Sequence, residues 1–156
     1  MGETLKIEKM TREEIGSAYV LYLSEWADPE GHQMNFFDET IDDPDGYFFV
    51  AYWGGEMAGW CAMHHGRDSD TSYCKICNMI VKKDFRRKGI GRALMLKMLD
   101  IADKLGPDRT LLEVDTENVA LKLYESLGFQ IVKTVERFYD YGGDAHKMCR
   151  YRIPAE

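Results

Sequence analysis

The segment from Met79 to Leu94 constrains this chain more than any other part of its sequence. An apolar run that ends at Val81 indicates a buried strand, and a basic turn follows it. Gly89 and Gly91 then open an amphipathic helix, where free backbone N–H groups and the positive end of the helix dipole favour a bound anion. The segment therefore predicts a seat for a pyrophosphate-containing ligand, surrounded by four cationic side chains: Arg86, Arg87, Lys88 and Arg92.

Length and charge limit what else the chain can be. Its 156 residues suffice for one domain with a proper core, so we expect a single domain over residues 1–156. The net charge of −7 argues against general binding to nucleic acids or to anionic membranes. The segment Met1–Lys6 lacks the apolar stretch of a signal peptide, and no apolar run is long enough to span a bilayer. We therefore expect a cytoplasmic protein.

Hydrophobic periodicity and turn residues divide the chain into strands and helices. Thr11–Glu14 has the form of a capping box, which predicts a helix start, and Gly54-Gly55 predicts a hairpin turn. Helices are predicted at residues 15–26, 36–40, 90–105 and 119–127. Strands are predicted at residues 5–10, 47–53, 57–65, 73–81, 110–114, 129–135 and 147–153. This order predicts an α/β fold with a sheet of mixed direction.

Two cysteines form a C-x-x-C pattern, which is typical of metal or redox pairs. Cys74 and Cys77 lie in a predicted strand, however, where this odd spacing sends the two side chains to opposite faces. The sequence has no second pair to complete a zinc site. We therefore expect structural cysteines and no metal.

Three motifs together resemble the GNAT superfamily of N-acetyltransferases. Arg86-x-x-Gly89-x-Gly91 resembles the family's acetyl-CoA signature, and Val81-x-x-x-Phe85-Arg86 resembles the strand exit before it. The segment Leu123–Phe129 resembles the family's helix-to-strand corner, and the order of elements fits along the whole chain. The resemblance implies one GNAT-like domain with a mixed, largely antiparallel central sheet flanked by helices.

Within that superfamily the chain is most similar to RimI-type protein N-terminal acetyltransferases. Glu113-Val114 before the tyrosine-bearing helix is one similarity, and the aromatic segment Phe138–Met148 with its Gly-Gly-Asp-Ala stretch is another. The resemblance implies acetyl-CoA as cosubstrate and no metal. It also implies a set of cofactor-binding residues: Met79, Ile80, Val81, Arg86, Arg87, Lys88, Gly89, Ile90, Gly91, Arg92 and Asn118.

One cofactor-binding residue departs from the family pattern. The family usually has Asn-x-x-Ala-x-x-Leu-Tyr, and Ala120, Leu123 and Tyr124 keep that register here. The position of the family's asparagine is then occupied by Glu117, and Asn118 lies one residue after it.

Two residues match the family's catalytic positions. Tyr124 corresponds to the general acid that protonates the leaving thiolate, although it could instead pack against the cofactor. Glu113 corresponds to the base, and its apolar strand would make it a better proton acceptor. A glutamate at this place could equally face solvent or pair with Arg109. The carboxylate that many members carry on the preceding strand is missing, since Lys75 and Cys77 occupy that region.

The acceptor is an amine, and three functions remain open. In the first, a peptide N-terminus accepts the acetyl group and Tyr139 and Tyr141 bind its backbone, although these tyrosines could simply pack. In the second, a small amine such as a polyamine, amino acid or aminosugar is the acceptor, which the acidic net charge suits. In the third, the chain is a CoA-binding sensor without catalysis. A monomer or a homodimer is compatible with all three.

Overall fold

A computed structural model describes residues 4–152 and contains one seven-stranded sheet. Its strands are β1 (Leu5–Lys9), β2 (Gly46–Trp53), β3 (Glu56–Arg67), β4 (Ser72–Val81), β5 (Arg109–Asp115), β6 (Gln130–Val135) and β7 (Ala145–Tyr151). The α-helices of the same residues are α1 (Ile15–Leu23), α2 (His32–Thr40), α3 (Ile90–Leu105) and α4 (Leu121–Ser126).

The strand order of the sheet is β1-β2-β3-β4-β5-β7-β6. The pairs β1–β2, β2–β3, β5–β7 and β6–β7 are antiparallel, whereas β4 and β5 are parallel. The predicted fold class, a mixed and largely antiparallel sheet flanked by helices, is confirmed. No helix among residues 4–152 has the length and apolar character needed to cross a membrane.

The described residues group into two compact units. The first unit comprises the residues up to 64 and residues 78–99, and the second comprises residues 65–77 and those from 100 onwards. Aromatic packing dominates the core of the first unit. Phe37 and Trp60 are fully buried with ring centroids 4.9 Å apart, and the Trp60 indole donates a hydrogen bond of 3.0 Å to the Ala18 carbonyl. This bond satisfies the one polar group of a buried tryptophan.

Local turn signals in the first unit were predicted correctly. Gly54 and Gly55 have φ angles of 57° and 86°, as a two-residue hairpin between β2 and β3 requires. The capping box at the start of the chain is also present, because the Glu14 carboxylate accepts the Thr11 backbone N–H at 2.8 Å. It opens a 3-10 turn that leads into α1.

The boundaries of α1 and α2 were predicted wrongly. α1 ends at Leu23 rather than Trp26, and the Ser24 hydroxyl bonds back to the Leu21 carbonyl at 2.6 Å. α2 begins at His32 rather than at residue 36. The Asp28 carboxylate explains this earlier start, because it accepts the backbone N–H groups of residues 33 and 34 at 3.1 and 3.3 Å.

Three boundaries in the second unit, at the end of β3 and at the starts of β7 and α4, differ from the prediction by two residues. β3 continues to Arg67, and β7 already begins at Ala145. α4 begins at Leu121 rather than at residue 119, after a turn in which the Asn118 side chain accepts the Ala120 N–H at 2.8 Å. Residue 153, the last one predicted for β7, and residues 1–3 lie outside the described residues.

Candidate active site

The glycine turn of the first unit connects β4 to α3. Gly89 has a φ of +81°, a left-handed conformation that glycine adopts without strain, and Arg87 before it has a φ of 64°. The first helical hydrogen bond runs from the Ala93 N–H to the Gly89 carbonyl at 3.0 Å. The N–H groups of Ile90 and Gly91 precede this bond, at the positive end of a 16-residue helix. The turn therefore has the geometry of an anion-binding site.

Two of the four cationic side chains stabilise the turn itself. The Arg86 guanidinium donates to the Val81 carbonyl at 3.1 Å and to the Glu25 carboxylate at 2.5 Å. The Lys88 ammonium lies 5.4 Å from the centre of the Trp53 ring, which is a cation–π distance. Any contribution of these two side chains to ligand binding stays a prediction.

The end of β4 is held closely against β3 within the first unit. A Cβ atom on Gly59 would lie 2.5 Å from the Ile80 carbonyl oxygen, so only glycine fits at this crossing. Met79 also lies next to the glycine turn: a Cβ atom on Gly91 would be 3.5 Å from the Met79 methyl carbon. The predicted strand 79–81 and the predicted phosphate seat are therefore neighbours.

In the second unit, the charged side chains of β5 lie on one face of the strand. Thr110, Leu112 and Val114 are buried, whereas the alternate positions of the strand, including Glu113 and Asp115, are only partly buried. This alternation follows from the two-residue period of a strand. Glu113 thus lies on the more exposed face of its strand, with 23% of its side chain exposed.

The partner of Glu113 is a lysine on the neighbouring parallel strand. The Lys75 ammonium donates to the Glu113 carboxylate at 2.6 Å. Arg109, which the sequence offered as a possible partner, binds Asp68 instead at 2.5 Å. The carboxylate that we predict to be the base is therefore already ion-paired with an amine.

Tyr124 is buried in α4, with 6% of the residue exposed. Its ring packs edge-on against Phe129, with centroids 6.3 Å apart. Burial, and to a lesser degree the nearby Tyr139, raises the pKa of Tyr124 to about 12. The phenol is therefore protonated at neutral pH and can act as a proton donor.

Tyr139 and Tyr141 form a stacked pair in the loop before β7. Their ring centroids are 5.3 Å apart and their planes differ by 3°. The Tyr141 hydroxyl donates to the Asp115 carboxylate, and this bond lowers the pKa of Asp115. Burial, followed by the charges of Glu113 and Asp115, raises the pKa of Tyr139 to about 12. Tyr139 is thus electrostatically coupled to both Tyr124 and Glu113.

The side chain of Asn118 is engaged at the start of α4. Its carbonyl oxygen accepts the Ala120 N–H at 2.8 Å, and its own backbone N–H donates to the Asp115 carbonyl at 2.9 Å. This is a local turn of the kind that asparagine side chains commonly form with the backbone two residues further on. The predicted contact of Asn118 with the cofactor stays a prediction.

The C-x-x-C residues lie on opposite faces of β4, as predicted. Cys74 is fully buried and Cys77 is exposed, and both are free thiols. Burial raises the pKa of Cys74 to about 11. Among residues 4–152, no group of His, Cys, Asp and Glu side chains is arranged to hold a metal ion.

Two contacts at the candidate site could not be found from sequence patterns. The Lys75–Glu113 pair depends on the register of β4 against β5, in which Lys75 lies opposite Leu111. The Tyr141–Asp115 bond joins a loop to a strand end 26 residues away. The two-residue spacing of Glu113 and Asp115, which places both on one face of a strand, could have indicated Asp115 from the sequence.

The second unit also contains a cavity of about 440 Å³. It includes none of the predicted site residues. The residues that line it are Ala102, Asp103, Gly106, Pro107, Thr110, Arg150 and Arg152.

Comparisons with known proteins agree with the fold and with the family that the sequence motifs resemble. The chain is 30% identical over 140 residues to an N-alpha-acetyltransferase of Sulfurisphaera tokodaii, which covers 83% of this chain and 84% of that protein. It is 33% identical over 117 residues to N-alpha-acetyltransferase RimI of Mycobacterium tuberculosis, with 73% and 72% covered. The crystal structure of the ribosomal-protein-S18-alanine N-acetyltransferase from Escherichia coli is similar with a TM-score of 0.80 at 26% identity, covering 98% and 97%.

The family assignment rests on a match along most of the chain. Residues 10–129 match the family described as Acetyltransferase (GNAT) family. The similarity to RimI-type enzymes, which the segments around Glu113 and Phe138 indicated, is confirmed by the relatives. The chain therefore belongs to the acetyltransferase (GNAT) family.

Proposed function

We propose that this protein transfers the acetyl group of acetyl-CoA to the α-amine of a protein N-terminus. The observation that carries this proposal is the turn at Gly89, whose left-handed φ of +81° leads directly into the N-terminus of α3. Backbone N–H groups and the dipole at such a helix start suit a pyrophosphate. The names of two relatives, both N-alpha-acetyltransferases, support an α-amine as the acceptor.

The first unit would hold the donor through its backbone. The N–H groups of residues 87–92 would bind the pyrophosphate, with Arg86 keeping the turn in shape, and the strand 79–81 would pair with the pantetheine arm like an added strand. The N–H of Ile80 would stabilise the developing oxyanion. When bound, acetyl-CoA supplies an activated thioester carbonyl. Asn118, in the second unit, is a further proposed contact to the donor.

The second unit would provide the acid and the base. Glu113 would accept the proton of the acceptor ammonium, directly or through a water molecule, so that the nitrogen lone pair becomes available. Tyr124 would donate its proton to the departing thiolate, which its raised pKa of about 12 permits at neutral pH. Tyr139 and Tyr141 would bind the peptide backbone. An α-amine titrates near ~8 and a lysine side chain near ~10.4, so an α-amine needs less help.

We further propose that the whole chain acts as one acetyltransferase domain, which the match over residues 10–129 supports. We expect it to act in the cytoplasm, where newly made proteins present free N-termini. A small cationic amine is the second candidate acceptor, because the net charge of −7 would attract it.

The proposed function is tested by measuring CoA release from acetyl-CoA against a panel of acceptors. The panel contains peptides with free N-termini, the same peptides with blocked N-termini, polyamines and aminosugars. We expect turnover with free N-termini and none with the blocked peptides that lack lysine. Turnover with polyamines or aminosugars alone would contradict the peptide acceptor. Acetyl-CoA binding without any turnover would indicate the sensor.

A further inference from the structure

The primary amine of Lys75 forms an ion pair with the carboxylate of Glu113, which we propose as the base. Its ammonium nitrogen lies 2.6 Å from one oxygen of Glu113. The ammonium of an acceptor needs that same carboxylate in order to lose its proton. An acceptor amine that arrives at Glu113 therefore meets the positive charge of Lys75.

We propose that Lys75 sets the preference of this enzyme for α-amines over lysine side chains and polyamines. This inference rests on the proposed function, because it takes Glu113 as the base and an amine as the acceptor. Lys75 acts through charge repulsion: it disfavours acceptors that arrive protonated and leaves neutral acceptors unaffected. It is a specificity-determining residue and does not react itself.

The other charged and titratable groups near Glu113 either bind other partners or are neutral. Asp115 lies on the same face of β5, but the Tyr141 hydroxyl is bonded to it. Lys147 of β7 lies opposite Glu113 in the strand register, yet its ammonium is 5.7 Å from the centre of the Phe138 ring. Cys77 on β4 and Tyr139 also lie near Glu113. Partial removal of the Cys77 thiol from solvent raises its pKa and burial raises that of Tyr139, so both are neutral near pH 7.

The size of the effect follows from the protonation of the two kinds of acceptor. At pH 7.5 about a quarter of an α-amine with a pKa near 8 is neutral, whereas only about one lysine side chain in a thousand is. A neutral α-amine can approach Lys75 without repulsion, and a protonated lysine cannot. The Lys75 side chain is 37% exposed, so solvent screens its charge. We expect this screened repulsion to disfavour a protonated acceptor about tenfold, well below the unscreened limit. Because about three quarters of the α-amine is also protonated at pH 7.5, the resulting contribution to the selectivity is about threefold.

The test compares Lys75→Met with Lys75→Arg, which keeps the charge. Lys104→Met is the matched control, because Lys104 also forms an ion pair with a carboxylate, Asp100, at 3.0 Å but lies on α3. Two acceptors are used at pH 7.5: a lysine-free peptide with a free N-terminus, and the same peptide with a blocked N-terminus and one lysine. The ratio of their kcat/KM values is the primary measurement. The inhibition constant of spermidine against the α-amine peptide is the second, and it needs no turnover of the cation.

We expect Lys75→Met to raise the kcat/KM of the lysine acceptor relative to that of the α-amine acceptor about threefold, and to lower the inhibition constant of spermidine about tenfold. Lys75→Arg and Lys104→Met should leave both values within about twofold of the wild type. A purely structural role of Lys75 would lower both rates together and leave the ratio unchanged, so an unchanged ratio and inhibition constant in folded Lys75→Met overturn the inference. If the wild type acetylates no free N-terminus, the proposed function fails instead.

Discussion

The glycine turn of the first unit and the Glu113–Tyr124 region of the second are assembled in different ways. The backbone of the turn comes from one short stretch, between Met79 and Arg92, and its key conformation is the left-handed φ of Gly89. The second region depends on contacts between distant residues, such as Lys75 with Glu113. Local sequence thus determines the proposed donor seat, whereas strand register determines the environment of the proposed catalytic groups.

This difference predicts that variants of the two regions affect separate kinetic quantities. Changes in the turn should weaken donor binding, and changes in the Glu113–Tyr124 region should alter the rate or the use of the acceptor. The four predictions that follow test this separation.

The largest effect is expected for Tyr124→Phe, which removes the proposed acid and keeps the ring that packs on Phe129. We expect kcat to fall about 10³-fold, within the usual range for general acid catalysis, and the Kd of acetyl-CoA to stay within about twofold. Because the pKa of Tyr124 is raised to about 12, Tyr124 stays protonated up to about pH 10. Its ionisation should therefore not lower the wild-type rate at any pH below about 10. Tyr151→Phe, at an exposed tyrosine of β7, is the control. A normal kcat in Tyr124→Phe would place the acid elsewhere.

Gly89→Glu should weaken acetyl-CoA binding about 10²-fold, because it puts a negative charge where we propose that the pyrophosphate binds. Calorimetry measures the Kd. Gly55→Glu is a close control, since Gly55 also has a positive φ, 86°, and open space around its Cβ position. Gly89→Ala isolates the backbone strain without the charge. Equal binding by Gly89→Glu and the wild type would disprove the phosphate seat.

Glu113→Gln should lower the rate with a free N-terminus about tenfold at pH 7 and much less at pH 9. At pH 7 only about a tenth of an α-amine with a pKa near 8 is neutral, whereas most of it is neutral at pH 9. Initial rates at the two pH values, at saturating acetyl-CoA, measure this difference. If Glu113→Gln lowers the rate by the same factor at pH 7 and at pH 9, then Glu113 has a structural role and does not transfer the proton.

The smallest effect is expected for Asp115→Asn, which removes the charge that the Tyr141 hydroxyl binds. We expect the KM for a peptide acceptor to rise about threefold with little change in kcat, because a charge-assisted hydrogen bond is replaced by a weaker one. Tyr141→Phe should behave alike, and the double variant should be no worse than either single one. Additive effects would show that the Asp115–Tyr141 bond does not organise this loop.

The sequence was informative wherever structure depends on near neighbours. The bounds of α3, the hairpin at Gly54-Gly55 and the capping box at Thr11 were all predicted, because glycine conformation, helix capping and periodicity act over a few residues. The start of α2 was missed because the Asp28 side chain caps it from outside the periodic segment. The opposite faces of the C-x-x-C cysteines followed from the strand period alone.

The candidate site was only partly predictable for the same reason. Glu113 and Tyr124 were identified by their resemblance to family positions, but the ion pair with Lys75 requires knowledge that β4 and β5 are parallel neighbours. Similarly, Arg86 was read as a charge near the phosphate seat, and nothing in the local pattern indicated that its guanidinium binds Glu25, 61 residues away.

The most direct test of the account is to locate the acetyl group on a single peptide that carries both a free N-terminus and an internal lysine. The peptide is incubated with the protein and acetyl-CoA at pH 7.5, and the modified nitrogen is identified by fragmentation mass spectrometry. We predict one acetyl group, on the α-nitrogen, with one CoA released for each. An acetyl group on the lysine alone, or an unmodified peptide under conditions in which a polyamine is acetylated, would contradict the account.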